Sequence, residues 1–287
     1  MTNAKTAMNL VLQGAGDCKA RLERISALTA PTNLTWLNER ALRCEGITYS
    51  AALCQTIEVA AQAAQLDTTY SIGYHKMSEF KLLAMDMDST LITIECIDEI
   101  ADMQGLKKQV SEITEAAMRG ELDFAESLKR RVALLEGLDA AALERVYDER
   151  LQLSPGAENL LQAVQAAGMK TLLVSGGFTY FTERLKVRLG LDYTNANQLE
   201  ILDGKLTGKV IGPIVDAEEK QRTLERVCKE LGISPSQAIV MGDGANDLKM
   251  MGISGMSVAF RAKPVVRGQA NVALNFVGLD GILPLLT

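Results

Sequence analysis

Apolar residues along this chain fall into two patterns, and their order predicts the architecture. Short continuous runs read as buried strands, and longer stretches with apolar residues three and four apart read as helices. Residues 9–13 alternate as a strand does, 18–28 repeat at helical spacing, 34–44 look extended, and 51–64 look helical again. This βαβα order predicts a small α+β module over residues 1–78, with no cluster of catalytic residue types in it. Residues 81–86, KLLAMD, form a short apolar run that ends in aspartate and reads as a buried strand. From 92 to about 150 the pattern is almost wholly helical, in segments such as IDEIADMQ, KKQVSEITEAAM and FAESLKRRVALLEG, and Asp139 is placed to N-cap the last helix. Beyond Ser154-Pro155-Gly156 the pattern alternates: a helix at 158–167, the strand KTLLVSGG, a helix at 179–189, a hairpin around Asp203-Gly204, a helix at 218–231 and the strand AIVMGDG. A short helix and two short strands, MSVAF and NVALN, follow.

Strands alternating with helices after residue 80 predict an α/β fold, a parallel sheet with helices on both faces. The helical block at about 92–153 interrupts that alternation just after the opening strand. A block so inserted would sit as a cap over the strand's C-terminal end, where open α/β sheets bind ligands. The predicted division is therefore a module at 1–78 and a core at 79–287 that carries the cap.

Composition narrows the chemistry. The chain has 287 residues, a formal net charge of −6 and a pI near 5.1, so it would repel a phosphate backbone and no nucleic-acid partner is expected. No window shows the ~18 uncharged apolar residues of a membrane span, and no secretory signal is read at the N-terminus. The five cysteines, Cys18, Cys44, Cys54, Cys96 and Cys228, form no CxxC pair. Reduced thiols in a cytoplasmic protein are the expectation. His75 is the sole histidine, which argues against Ser-His-Asp chemistry and against a His-rich metal site. Catalysis would have to rest on carboxylates, lysine and a metal.

Four segments fall at predicted strand ends or helix starts: Asp86-Met87-Asp88-Ser89-Thr90, Ser175-Gly176-Gly177, Lys220, and Gly242-Asp243-Gly244-Ala245-Asn246-Asp247. Each alone reads as a turn, a cap, a loop or a solvated helix residue. Together they supply what phosphoryl transfer needs, namely a nucleophile, a proton donor, a cation and donors to the phosphoryl oxygens. Asp86 is the candidate nucleophile, and Asp88 the general acid and then the base for water. Mg²⁺ would offset their repulsion of phosphate, held by Asp86 and Asp243, with the backbone carbonyl of Asp88 as a further candidate ligand. Asp247 would ligate as well or orient waters. Lys220 would balance the remaining negative charge, and Ser175 and the Gly176 amide would donate to phosphate oxygens.

In that order the four segments resemble the motifs of the haloacid dehalogenase superfamily, and most of all its branch that acts on phosphoserine in bacteria. The resemblance runs from about Lys81 onward and rests on DMDST with a helical insertion directly after it, GGFTYFTERL, the hairpin and GDGANDLKM. It implies a Rossmann-like core with a small helical cap, Mg²⁺ dependence, an aspartyl-phosphate intermediate and hydrolysis of phosphoserine at the end of serine biosynthesis. Asp88 separates this branch from the dehalogenases proper, which lack an acid two residues after the nucleophile. By the same resemblance Glu95 would hold the substrate's ammonium, Arg131 its carboxylate, Phe124 would shield it, and Asn246 would lie near the phosphate. Read without the family, Glu95 is a helix-start acid, Phe124 a core residue and Arg131 part of a solvated basic run. Met85 and Met87 depart from the bulkier residues common at these positions, which should alter packing alone. Phosphoryl transfer to an alcohol such as homoserine, a sugar-phosphate phosphatase and a non-catalytic amino-acid sensor stay open as alternatives. The module resembles the amino-acid-binding ACT type but reads as short for a complete one. Packing on the core or homodimerisation ranks ahead of regulation for it.

Overall fold

The computed structural model describes residues 7–71, 73 and 75–286. The N-terminal module runs β1 (Ala7–Gly14), α1 (Lys19–Ser26), β2 (Asn33–Asn38), β3 (Ala41–Thr48), α2 (Ala51–Ala63) and β4 (Leu66–Ser71). Its antiparallel sheet has the order β2-β3-β1-β4. This is a complete βαββαβ plan of the ferredoxin-like kind, so two expectations are corrected: the order is not βαβα, and the segment is long enough for the whole unit. The extended run at 34–44 is two strands folded at Glu39-Arg40, where the Asn38 side chain accepts the Arg40 N–H at 2.8 Å. Strand β4 escaped detection because its buried positions include Asp67 and Thr69, so it lacks an apolar alternation.

Alternation along β1 explains how the module is placed. Leu10 and Leu12 enter the module's own core with Leu22, Ile25, Leu42, Ile47 and Ile57. Val11, between them, points the other way and joins the core of the larger unit. At the same seam the buried Asp67 carboxylate accepts the main-chain amides of Asn275 (2.7 Å), Phe276 (2.9 Å) and Val277 (3.0 Å). Successive amides converging on one carboxylate form an anion nest.

The larger unit begins with β5 (Leu82–Met85), after which come the cap helices α3 (Cys96–Asp102), α4 (Lys107–Met118), α5 (Phe124–Ala133) and α6 (Ala141–Glu149). An isolated bridge between Ile92 and Leu153 joins the two places where the chain enters and leaves this block. Asp139 is not the N-cap: α6 begins later, at Ala141, and the Asp139 carboxylate instead accepts the Ala141 N–H at 2.8 Å in an Asx turn. Then come α7 (Ala157–Ala166), β6 (Lys170–Phe178), α8 (Thr179–Leu189), β7 (Tyr193–Leu202), β8 (Lys205–Ile211), α9 (Ala217–Leu231), β9 (Ala238–Gly242), α10 (Leu248–Ile253), β10 (Met256–Phe260), α11 (Pro264–Arg267) and β11 (Val272–Leu274). The sheet order is β11-β10-β9-β5-β6-β7-β8, parallel except for the edge strand β8.

Both faces of this sheet are covered. Leu83 and Met85 join one hydrophobic cluster, while Leu82 and Ala84 join the other with Leu224, Val227 and Val266. Met87 is also fully buried, and with Met85 it is a packing residue. Asp203 and Gly204 take φ of 50° and 77°, the paired positive angles of a type I′ turn, so β7 and β8 form the expected hairpin. That hairpin is fastened to the cap through Gly137 N–H to Leu206 C=O, Leu206 N–H to Leu138 C=O and Ala140 N–H to Gly204 C=O, each 2.8 Å. Strand β5 lies centrally, with β6 on one side and β9 on the other, so the topology switches at the point where Asp86 follows it. Among the described residues no helix is long and apolar enough to cross a membrane.

Asp67→Ala is expected to lower the free energy of unfolding by about 3 kcal/mol, since three amides lose a charged acceptor. Urea melts followed by circular dichroism measure it, and a loss below about 1 kcal/mol would mean that other contacts hold the seam.

Candidate active site

Asp86 continues β5 by one residue, its N–H donating to Met241 C=O at 3.0 Å, and its side chain emerges at the buried C-terminal end of the sheet. Lys220 reaches the same point from the first turn of α9, whose N-terminus is capped by Asp216 through the Glu219 N–H at 2.9 Å. The lysine has no exposed surface. Its Nζ lies 2.7 Å from Asp86 Oδ2 and 2.7 Å from Asp247 Oδ1. Asp247 Oδ2 accepts the Gly244 N–H at 3.0 Å, and Asp243 Oδ1 accepts the Thr90 hydroxyl at 3.2 Å. One carboxylate oxygen each from Asp86, Asp243 and Asp247 lies within 4.8 Å of the others.

These charges act on one another strongly. Burial pushes Asp86 well above the usual carboxylate range, with Lys220 pulling it back and Asp247 and Asp243 adding to the rise. Burial and then Asp247 push Asp243 up to about 6. Burial alone would depress the Lys220 ammonium, but Asp247 and Asp86 outweigh it and hold its pKa high. With all three carboxylates ionised, one ammonium leaves a deficit of two positive charges, which is the charge of a divalent cation. The donors are all oxygen, the set that hard divalent ions prefer. The residues therefore fit a metal ion.

Asp88 is separate from this acidic group. Its Oδ1 accepts the Cys96 N–H of α3 at 3.3 Å. Burial and then Glu95 push its carboxyl up to about 7. Its side chain is thus not among the converging carboxylates, which leaves only the expected backbone carbonyl as a metal donor. A Cβ on Gly177 would stand 2.7 Å from Asp88 Oδ2, and one on Gly176 would stand 2.8 Å from the Phe124 ring, so side-chain-free backbone is needed at both. Ser175 is fully buried and its Oγ accepts the Gly177 N–H at 2.9 Å.

On the cap side, Glu95 sits at the N-cap position of α3 and accepts the Ser89 hydroxyl at 2.7 Å. Ser89 adopts a φ of 54° to turn the chain there. Burial raises the Glu95 carboxyl, and burial lowers the Arg131 guanidinium against the opposing pull of Asp98, Glu95 and Asp88. Arg131 is half-buried on α5 and donates to Ser127 C=O at 3.4 Å. Asn246 is half-buried in the turn after Gly244. Direct hydrogen bonds and ion pairs thus join Asp86, Lys220 and Asp247, while close packing links Asp88 to Gly177 and Phe124 to Gly176. Glu95 and Arg131 face this group electrostatically without a mutual hydrogen bond in the structure.

Two contributors were not singled out from sequence. Thr90 lies inside DMDST, so its position was signalled but not its bond to Asp243. Asn197 of β7 had no local signal; its side chain bonds Gly176 and Val215. A cleft of about 390 Å³ lies elsewhere, at the seam between module and core, and is lined by Arg43, Thr69, His75 and Asn271 among others. It holds none of the acidic group, and the reactive groups decide where chemistry belongs.

The model of the haloacid dehalogenase-like hydrolases matches residues 80–255, the span that holds Asp86, Asp88, Ser175, Lys220, Asp243 and Asp247. The chain belongs to the haloacid dehalogenase-like hydrolase family. A relative named phosphoserine phosphatase, from Polaromonas sp., is 59% identical over 216 residues, which is 74% of this chain and 92% of that protein. A haloacid dehalogenase-family hydrolase from Salmonella enterica serovar Typhi superposes with a TM-score of 0.86 at 32% identity, covering 97% of this chain and 98% of its own. A probable phosphoserine phosphatase from Vibrio cholerae superposes with a TM-score of 0.81 at 37% identity, covering 98% and 86%. Both structural likenesses extend over the N-terminal module as well as the hydrolase core.

In this hydrolase Gly242 packs so closely on Asp247 that any Cβ would overlap the carboxylate. Gly242→Ala is expected to displace Asp247 and weaken divalent-metal binding by about 10-fold or more. Calorimetric titration with Mg²⁺ and Mn²⁺ measures the change, and unaltered affinity would show that Asp247 is not needed to hold the ion.

Proposed function

We propose that this hydrolase is a Mg²⁺-dependent phosphoserine phosphatase that converts O-phosphoserine and water to serine and phosphate, the last step of serine biosynthesis. The observation that carries the reading is the buried ion pair of Asp86 and Lys220 beside Asp243 and Asp247, in a chain 59% identical to a protein of that name.

In the proposed mechanism an Asp86 oxygen attacks phosphorus, the bond to the serine oxygen breaks, and Asp88 delivers a proton to that leaving oxygen. A carboxyl pushed up to about 7 suits such a donor, since much of it is protonated at neutral pH. Asp88, now a base, takes a proton from the water that attacks the aspartyl-phosphate, which releases phosphate and restores Asp86. Ser175 and the Gly176 amide donate to the phosphoryl oxygens, and Lys220 neutralises charge on Asp86 and the phosphate. Mg²⁺, held by Asp86, Asp243, Asp247 and the Asp88 carbonyl, would supply the remaining neutralisation of phosphate charge. Glu95 takes the substrate ammonium, Arg131 its carboxylate, Phe124 covers the bound molecule, and Asn246 lies by the phosphate. The cap at about 92–153 encloses the substrate over the core. All five cysteines are free, which suits a reducing compartment, and we place the enzyme in the cytoplasm.

Asp86→Asn should abolish turnover of phosphoserine while the circular dichroism spectrum stays that of the folded protein, and EDTA should do the same reversibly on wild type. Normal turnover by Asp86→Asn would refute the covalent mechanism. Arg131→Ala should cut kcat/KM for phosphoserine by about 30-fold, roughly 2 kcal/mol, because a buried carboxylate loses its charged partner. Hydrolysis of p-nitrophenyl phosphate, which has no carboxylate, should be unaffected. An equal loss on both substrates would sink the assigned contact.

A further inference from the structure

Asn197 lies in none of the four motifs, yet its buried side chain joins two of the loops that carry them. The Nδ2 group donates to Gly176 C=O at 2.8 Å, and Oδ1 accepts the Val215 N–H at 2.8 Å. The need for it arises in the sheet. Strands β6 and β7 pair in register up to Val174 with Asn195, and the next pair is Phe178 with Asn197, so β6 uses four steps where β7 uses two. The bulge lifts Ser175-Gly176-Gly177 out of the ladder toward Asp88. The Gly176 carbonyl is thereby displaced from its place in the regular ladder, and the Asn197 side chain supplies a donor to it.

This bond fixes more than one atom. The Gly176 carbonyl and the Gly177 amide belong to one planar peptide unit, and that amide donates to Ser175 Oγ at 2.9 Å. The unit is thus held at both ends, by Asn197 and by Ser175. With one lone pair of Ser175 Oγ occupied by the Gly177 N–H, the hydroxyl proton is left to donate elsewhere. On the other side, Val215 precedes Asp216, the N-cap of α9, and Lys220 stands in the first turn of that helix.

We propose that Asn197 is a positioning residue for phosphoryl transfer, fixing the Gly176–Gly177 peptide against the start of α9 so that Ser175, the Gly176 amide and Lys220 meet one phosphoryl group. The inference rests on the phosphatase reading above. Asn197 touches no reacting atom; it acts through the loop and the helix. Because its effect lies at the phosphoryl end, it is blind to the rest of the substrate.

Asn197→Asp tests this with nearly the same shape: it keeps an acceptor for Val215 and replaces the donor to Gly176 by an oxygen. Its kcat should fall by about 10-fold or more, and by the same factor for phosphoserine and p-nitrophenyl phosphate, since small misplacements cost that much in orientation. Combined with Ser175→Ala, the two losses should fall short of multiplying by about 5-fold or more, because both act on the same donor. A merely structural role would lower the melting temperature yet give losses that multiply. Unchanged kcat, losses that multiply, or a loss confined to phosphoserine would each overturn the proposal. If Asn197→Asp does not fold, amide hydrogen exchange of wild type decides: slow exchange at both Gly177 and Val215 supports the clamp, and fast exchange at either overturns it. Wild type that hydrolyses p-nitrophenyl phosphate but not phosphoserine would sink the substrate assignment and leave this test standing. Wild type inert toward both would sink the phosphatase reading, and the role of Asn197 with it.

Discussion

A lysine ammonium with no exposed surface is the constraint from which the rest of this structure follows. Stripping Lys220 of water would be strongly unfavourable unless anions met it, and Asp86 and Asp247 do so at 2.7 Å each. The three groups come from the end of β5, the first turn of α9 and the turn after β9, so those elements must converge. Removing one partner would leave the others buried and uncompensated, which is more costly than the intact cluster is beneficial. Two carboxylates already outnumber the one ammonium, Asp243 adds a third, and the cluster is completed only by a further cation. Charge that is incomplete in the free protein is what makes this pocket attractive to a divalent ion and, through it, to a phosphate ester.

Much of this was legible in the sequence, for a physical reason. Strands buried on both faces must be apolar throughout, so a carboxylate directly after KLLAM or AIVMG stands out against its surroundings. The half-buried and seam-facing elements were harder. Strand β4 hides its character because Asp67 and Thr69 face another unit, and a buried polar residue satisfied by main-chain amides leaves no trace in an apolar pattern. The turn at Glu39-Arg40 contains neither glycine nor proline, since the Asn38 side chain sets it, and so β2 and β3 read as one run. Asn197 was invisible for a related reason. Its partners are a carbonyl and an amide far away in sequence, brought to it by a bulge that only the paired strands define.

The N-terminal module illustrates how one strand can serve two cores. Leu10 and Leu12 hold the module together, while Val11 commits it to the hydrolase core. Asp67 adds direction to that apolar contact, because an anion nest fixes orientation where greasy surfaces alone could slide. The module's packing on the core is thus carried by an apolar side chain and an oriented carboxylate together.

Insertion of the cap directly after β5 has a chemical as well as a steric logic. The proposed acid, Asp88, lies just after the insertion point's strand, and its carboxylate is met by the main-chain N–H of Cys96, the opening residue of α3. A carboxyl in water would be ionised at neutral pH and useless as a donor. Covered by the cap and facing Glu95, it is held near neutrality. Asp86, two residues earlier, is raised by burial as well, but it sits against Lys220, whose cation pulls it back toward the ionised form. The two aspartates thus differ in what faces them, a lysine brought from the core at Asp86, and the first amide of the cap with an acidic neighbour at Asp88. A cap placed elsewhere in the chain could still enclose substrate. It would not bring its own first amide and an acidic neighbour to the second aspartate, so the position of the insertion is part of how the proposed acid is tuned.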